Sequence, residues 1–438
     1  MSTSCHSPDQ IEVVFDHPNL VADSGLLLMD TLAARLGLPG LVARWVHTGA
    51  PNAAANVMTI VMGMLAGATN IDSLDRLRSG STRKALGFVP LAPSTIGTFL
   101  RTFTFGHVRQ LDKVNSRLLV NSWAAGAGPK PGEGLVVDLD STVAEVYGKQ
   151  KQGASYGYTR VLGYHPLFAT RAGTGEILAS RMRKGAAGSS RGVLRFIGEV
   201  LATIGRAGVT GPVTVRADSA FCSWQLVDKL TKAGVDWSIT VRLVPKIKTT
   251  IAAIPEEAWT TIGYTRGGHA QVAETIYTTG KGKHTRHVRL VVRRTRLADG
   301  TQAAMWPMWR HHAFICNNTL NTVEADRFHR NHAVVELAIR ELKDNGLEHC
   351  PSGSFAANGA WLACAVLAHN LCRWAGIIAL DGPIRTARTI RNRLIALAGV
   401  VVNRSGTLTL RLPTDWPWAH QFRAALTTIR ALPTAGSP

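Results

Sequence analysis

Three carboxylates stand where their surroundings allow chemistry. Asp140 closes the apolar run Leu135–Asp140 (LVVDLD), Asp218 closes Val213–Asp218 (VTVRAD), and Glu336 lies within Phe328–Lys343 (FHRNHAVVELAIRELK). The first two runs read as strands. Strand ends emerge at one edge of a sheet, and a helix packed across that sheet can bring a third acid to the same place. Three carboxylates converging in water repel one another, and such a cluster persists when hard divalent cations sit between them. Ligation by oxygen alone favours Mg2+ or Mn2+ over zinc. Two such ions about 4 Å apart activate a water or a 3′-hydroxyl and stabilise the leaving oxygen of an in-line phosphoryl displacement. Without metal, at least one of the acids is expected to hold a raised pKa.

Each acid also has a plainer explanation. Asp140 precedes Ser141-Thr142 and can cap a turn, Asp218 precedes Ser219 and can cap the next helix, and Glu336 can pair with Arg340 at i+4. The three together, in this order and in a basic chain, favour chemistry. Asp138, on the same strand face two residues before Asp140, competes for the first place and is a further candidate metal ligand.

The elements that must position these acids follow from periodicity. Phe328–Lys343 reads as a helix of about four turns. Val335, Ala338, Ile339 and Leu342 recur at i, i+3, i+4 and i+7 as an apolar stripe. His329, His332, Glu336 and Lys343 form a second stripe about a quarter turn away. His329, His332 and Glu336 on one helix face can also ligate zinc, as in a hydrolase. No H-E-x-x-H is present, and that reading leaves Asp140 and Asp218 unexplained.

The 438 residues suffice for two or three domains, and a hydrophobic fraction of 45% is that of a globular chain. The net charge of +20 and pI of about 10.3 attract polyanions, nucleic acid first and an anionic membrane surface second. None of the six cysteines forms a C-x-x-C pair, which speaks against a zinc ribbon and for reduced thiols in the cytosol. The N-terminus lacks the basic and apolar regions of a signal peptide. Ala53–Ile71 has no charged residue but is interrupted by Asn56, Thr59, Gly63, Gly67 and Asn70, and reads as a buried helix rather than a membrane span.

In chain order, residues 1–130 read as a helical, DNA-binding N-terminal domain preceded by a strand-like Ile11–Phe15. Thr95, Thr98 and Arg101 line the exposed face of a recognition-type helix whose N-cap is Ser94. A Gly- and Pro-rich linker, Gly126–Gly134, opens an α/β region over 131–243. A strand-dominated block, 244–315, with a turn at Gly280-Lys281-Gly282, interrupts the alternation of strands and helices. The α/β pattern resumes over 316–380, where Trp361–Leu371 is a buried helix, and 381–438 is a basic C-terminal region with a helix over Ile384–Ala398.

VVDLDST at 136–142, RADSAF at 216–221 and FHRNHAVVELAIRELKDNGLEHCPSG at 328–353 resemble the three acidic motifs of bacterial insertion-sequence transposases of the DDE class, most closely the IS thirteen-eighty family. GYHPLFA at 163–169, NGAWLACAVLAHNL at 358–371 and LRLPTDWPW at 410–418 share the likeness, which covers about residues 10–430. The resemblance implies a ribonuclease-H-like α/β core, split by a β-rich insertion between the second Asp and the Glu. It implies a triad of Asp140, Asp218 and Glu336, with Asp140 preferred because the related motif sets the acid directly before a small hydroxyl residue and Thr. It further implies two Mg2+ or Mn2+ ions, double-stranded DNA (terminal inverted repeats and target) as partner, a homodimer in the DNA complex, no membrane, and a bacterial cytoplasm where the protein associates with the nucleoid. The wider superfamily carries Tyr-x2-Arg-x3-Glu-x6-Lys around its Glu. Glu336 and Lys343 fit that spacing, while His329 and His332 hold the Tyr and Arg places. Lys343, His329, His332, Arg340 and Arg101 are the expected DNA contacts. A transposase remnant that binds DNA without catalysis is the alternative.

Overall fold

The computed structural model describes residues 7–157, 159–264, 268–280, 282, 285–296 and 309–436, apart from the side chains at 333 and 334. Ile11–Phe15 forms no strand. It is exposed coil, with Phe15 fully open to solvent, because no neighbouring strand offers it a ladder. β1 (Leu20–Val21) leads into five helices: α1 (Leu26–Arg35), α2 (Leu38–Trp45), α3 (Ala53–Leu65), α4 (Pro93–Arg101) and α5 (Phe105–Ser122). α3 is buried along most of its length, as expected of its uncharged sequence. α4 takes Ala92 rather than Ser94 as its N-cap, since Pro93 fills the first helical position. Its Thr95, Thr98 and Arg101 are exposed as expected. Thr104 and His107 close a capping box at the start of α5.

The strands follow: β2 (Leu135–Ser141), the short β3 (Ala144–Glu145), β4 (Ser155–Tyr156) and β5 (Leu162–Tyr164), then β6 (Leu167–Arg171) and β7 (Ile177–Arg181). α6 (Val193–Arg206), β8 (Val213–Ala217), α7 (Trp224–Lys232) and β9 (Asp236–Thr240) complete the first α/β half. The block after it contains α8 (Pro245–Ala252), β10 (Thr260–Ile262), β11 (Ala270–Thr279), β12 (Arg286–Arg296) and β13 (Trp309–Cys316), so its described part is mainly strand. The turn expected at Gly280-Lys281-Gly282 falls at Lys281 outside the described residues.

Among the described residues, the main sheet has nine strands in the order β10-β11-β12-β13-β9-β8-β2-β6-β7. β2, β8 and β9 run parallel, while β6 and β7 pair antiparallel on one flank. β13 pairs antiparallel with β9, so the β-rich block extends the same sheet rather than standing apart from it.

The stretch expected as one helix over Phe328–Lys343 is broken. α9 (Thr322–Arg330) ends in a 3-10 turn at Asn331–Val334, α10 (Val335–Leu342) follows, and Lys343–Leu347 widens into a π turn. The apolar stripe Val335, Ala338, Ile339, Leu342 is buried as expected, but only from the break onward. Glu341 ties α10 to Arg373 of α11 (Phe355–Ala379) at 2.5 Å.

α11 is long and apolar enough to cross a membrane, yet 83% of its apolar window is buried inside the protein. It is the helix around which α1–α5 and the sheet assemble into one continuous core. Several of its internal polar side chains find partners. Asn370 donates to Ile177 O and accepts from Ile177 N, both at 2.8 Å, which covers part of the edge strand β7. The chain ends with α12 (Ala387–Ile390), β14 (Gly399–Arg404), β15 (Thr407–Arg411) and α13 (Ala419–Ala431). The long basic helix expected over Ile384–Ala398 is only this short α12 and a π turn at Arg391–Ile395. Arg391 turns inward to cap the carbonyls of Met64 and Leu65 at the end of α3.

Candidate active site

β2 and β8 are parallel neighbours, and Leu139 pairs with Ala217. Asp140 and Asp218 are the next residue on each chain, so the two acids leave the sheet side by side, about one strand spacing (~4.8 Å) apart at the backbone. Asp140 is half-buried, and its Oδ1 accepts from the Ser141 N–H at 2.6 Å. Burial pushes its pKa up to about 6. The Ser141 N–H and the charge of His332 pull it down, while the charges of Asp218 and Glu336 raise it further. Asp218 Oδ1 accepts from the Ala220 N–H at 2.9 Å, a local turn, while the cap of α7 is Ser223. Glu336 is exposed in the first turn of α10, and no ion pair joins it to Arg340 among the described residues. Such a position suits a carboxylate, because the helix N-terminus carries partial positive charge.

These donors suit a hard divalent ion in kind. They are oxygens only, and Asp140 already carries the mutual repulsion that a cation relieves. They stop short of a cage, however. Among the described residues, no three His, Cys, Asp or Glu side chains are gathered closely enough to hold an ion. Glu336 stands toward solvent.

Asp138 is not a free metal ligand. It is 1% exposed, and its carboxylate receives Arg216 Nε at 2.7 Å, Arg216 Nη2 at 2.8 Å and His332 Nδ1 at 2.9 Å. The cause is register: Asp138 pairs with Arg216 across the parallel β2–β8 ladder. No basic residue adjoins the acid in sequence, yet one adjoins it in space. His332 is accordingly placed on Asp138 rather than out toward a phosphate.

His329 departs furthest from expectation. It is 3% exposed and stacks on Phe314, with ring centroids 4.1 Å apart and planes 9° apart. Its ring nitrogens meet Ser238 Oγ at 2.7 Å and Thr240 Oγ1 at 2.9 Å. Burial, then the nearby cationic groups, hold its pKa well below the ordinary histidine value. It is a core histidine, packed inside the protein rather than presented at its surface. The helix face that would have joined His329, His332 and Glu336 in a zinc site does not exist, because the 3-10 turn separates the first from the third.

Lys343 is half-buried in the π turn beside Asp140 and Glu145. Burial lowers its pKa, and those two acids oppose the shift. Arg340 is exposed on α10. Arg101 is exposed on α4, with its Nη2 on Thr98 Oγ1 at 3.1 Å. Two residues near the site had drawn no role from sequence. Arg216 lies within the quoted RADSAF, and alternation puts it on the face of Asp218. Arg183 donates to the carbonyls of Gly188, Ser189 and Arg191, fixing a loop whose Ser189 Oγ receives Ser141 Oγ–H at 3.3 Å, beside Asp140. Nothing in its spacing signals that task. A cavity of about 390 Å³ between α5, α6 and β7 excludes the acids. The ion pairs of Arg109 and Arg181 with Asp112 and Glu199 line it.

No curated protein matches the chain. The cryo-EM structure of the piggyBac transposase synaptic complex with hairpin DNA is similar at a TM-score of 0.45 and 10% identity, covering 85% of this chain and 79% of that one. Residues 3–434 match the family described as transposase DDE domain group 1. The match takes in nearly the whole chain, including both strand-end acids and the helix that carries Glu336, and the protein belongs to that family of DDE transposases.

Proposed function

We propose that the protein is an insertion-sequence transposase that cuts and joins DNA strands by divalent-metal-dependent phosphoryl transfer, with Asp140, Asp218 and Glu336 as the ligands. The observation that carries this reading is the pairing of Asp140 and Asp218 at adjacent parallel strand ends, with Glu336 coupled to Asp140 through its charge. The strand order β7-β6-β2-β8-β9, three antiparallel strands followed by two parallel ones, supports a ribonuclease-H-like core. The motif likeness supports a bacterial element of the IS thirteen-eighty kind. The net charge of +20 supports a phosphodiester backbone as substrate.

When bound, Mg2+ or Mn2+ supplies Lewis-acid activation of the attacking oxygen and neutralises charge on the leaving one. The chain's own residues orient the reaction. Asp140 and Asp218 present fixed oxygens from the sheet end, and Glu336 closes from the start of α10. Lys343, beside Asp140, offers its ammonium to a phosphate oxygen. Arg340 and Arg101 are exposed cations for the flanking backbone. Terminal inverted repeats and target DNA are the partners. Joining two ends calls for a second copy of the chain in the complex.

The test is incubation of a labelled terminal-repeat duplex with the protein in Mg2+, in Mn2+ and in EDTA. Nicked or cleaved product in either metal, and none in EDTA, is expected. Cleavage that persists in EDTA contradicts the proposal.

A further inference from the structure

We infer that Asp138, Arg216 and His332 act as one positioning unit that sets where Glu336 stands relative to Asp140 and Asp218, an inference that rests on the function proposed above. Arg216 spans two elements. Its Nε and Nη2 grip the Asp138 carboxylate, and its Nη1 donates to the Phe328 carbonyl in the last turn of α9. The guanidinium also lies 5.0 Å from the centroid of the Phe328 ring. His332, in the turn between α9 and α10, donates from Nδ1 to the same Asp138 oxygen that Arg216 Nε reaches. One buried carboxylate thus ties β2, β8 and the 328–332 segment together.

The placement of this unit is what gives it a role. Asp138 and Arg216 each precede a strand-end acid by two residues, so the unit sits one pleat below Asp140 and Asp218 on the same face. His332 precedes Glu336 by four residues, about one helical turn. The end of α9 is fixed from the other side as well, by His329 against Ser238, Thr240 and Phe314. α10 therefore starts from an anchored point, and the geometry of the turn at Asn331–Val334 decides the direction in which Glu336 leaves. A purely stabilising buried pair would not need His332, since Arg216 alone satisfies both carboxylate oxygens of Asp138. The third contact adds the link to the helix that carries the ligand.

The experiment uses the full-length protein with His332→Ala and with His332→Asn, whose amide N–H stands near the place of Nδ1–H. Mn2+ affinity is read without DNA from the electron paramagnetic resonance signal of free Mn2+. DNA affinity is read in EDTA, and thermal denaturation checks the fold. Groups that orient metal ligands typically set affinity by 10–100-fold. His332→Ala is expected to weaken Mn2+ binding about tenfold or more, to leave DNA affinity in EDTA unchanged, and to regain cleavage as Mn2+ is raised. His332→Asn is expected to recover part of the Mn2+ affinity. Unchanged Mn2+ affinity in a folded His332→Ala protein overturns the inference. So does a loss of DNA affinity with Mn2+ binding intact, which would make His332 a phosphate contact. Wild-type protein that binds no Mn2+ overturns the functional proposal itself, and the inference with it.

Discussion

Asp138 and Asp140 stand two residues apart on one strand face, and their surroundings separate them. Asp138 is neutralised by a bidentate Arg216 and by His332, whereas Asp140 meets mostly burial and two other acids. Removing Asp138 leaves Arg216 buried without its counter-ion. Asp138→Ala should cost about 3–5 kcal/mol in urea or thermal denaturation. A loss under 1 kcal/mol would contradict the buried pair. Asp140 should behave oppositely. Its folded pKa of about 6 lies above the ordinary 3.8, so the metal-free fold holds this proton more tightly than the unfolded chain does. Its contribution to stability is full below about pH 4 and is lost as pH rises through about 6. Discounted for partial exposure, that is on the order of 1–2 kcal/mol. Metal-free Asp140→Asn should therefore gain stability over wild type as pH rises from about 4.5 to 7, while losing the stabilisation that Mn2+ gives wild type. Parallel stability curves for the two proteins across that range would refute the raised pKa.

At the scale of elements, what could be read from sequence and what could not differ for a physical reason. β2 and β8 were legible because apolar alternation and a terminal acid are local signals. The strand character of 244–315 was legible for the same reason. The break in 328–343 was not, because the bonds that hold it come from Arg216 on another strand, and propensity alone lets the helix run on. The burial of His329 was not legible, because a histidine at helical spacing looks the same whether it faces solvent or Phe314. Ile11–Phe15 has a strand's composition but no partner edge. One element-level prediction concerns the edge of the sheet. Asn370 supplies the backbone partners of Ile177 on β7. Asn370→Leu should cost about 1–3 kcal/mol through two unsatisfied buried groups, and should raise hydrogen exchange at the Ile177 amide. Unchanged protection there would show that another group covers the edge.

For the whole molecule, one large core joins the N-terminal helices, α11 and the sheet, and the chain carries a net charge of +20. DNA binding by such a surface releases condensed counterions. The slope of log affinity against log salt should be steeply negative, about −5 for six phosphate contacts. A flat dependence would remove DNA as the main partner. In the proposed reading the acids hold metal and not phosphate, so they lie outside this binding term. The most direct measurement is thus Mg2+-dependent cleavage of a labelled terminal-repeat duplex by wild type and by Glu336→Gln, with DNA affinity measured alongside. The amide keeps the shape of the side chain and removes one hard anionic ligand. Cleavage lost by a factor of 1,000 or so (about 4 kcal/mol in the barrier) with DNA affinity retained is the predicted result. Near-normal cleavage by Glu336→Gln would contradict the assignment of Asp140, Asp218 and Glu336 as the catalytic carboxylates.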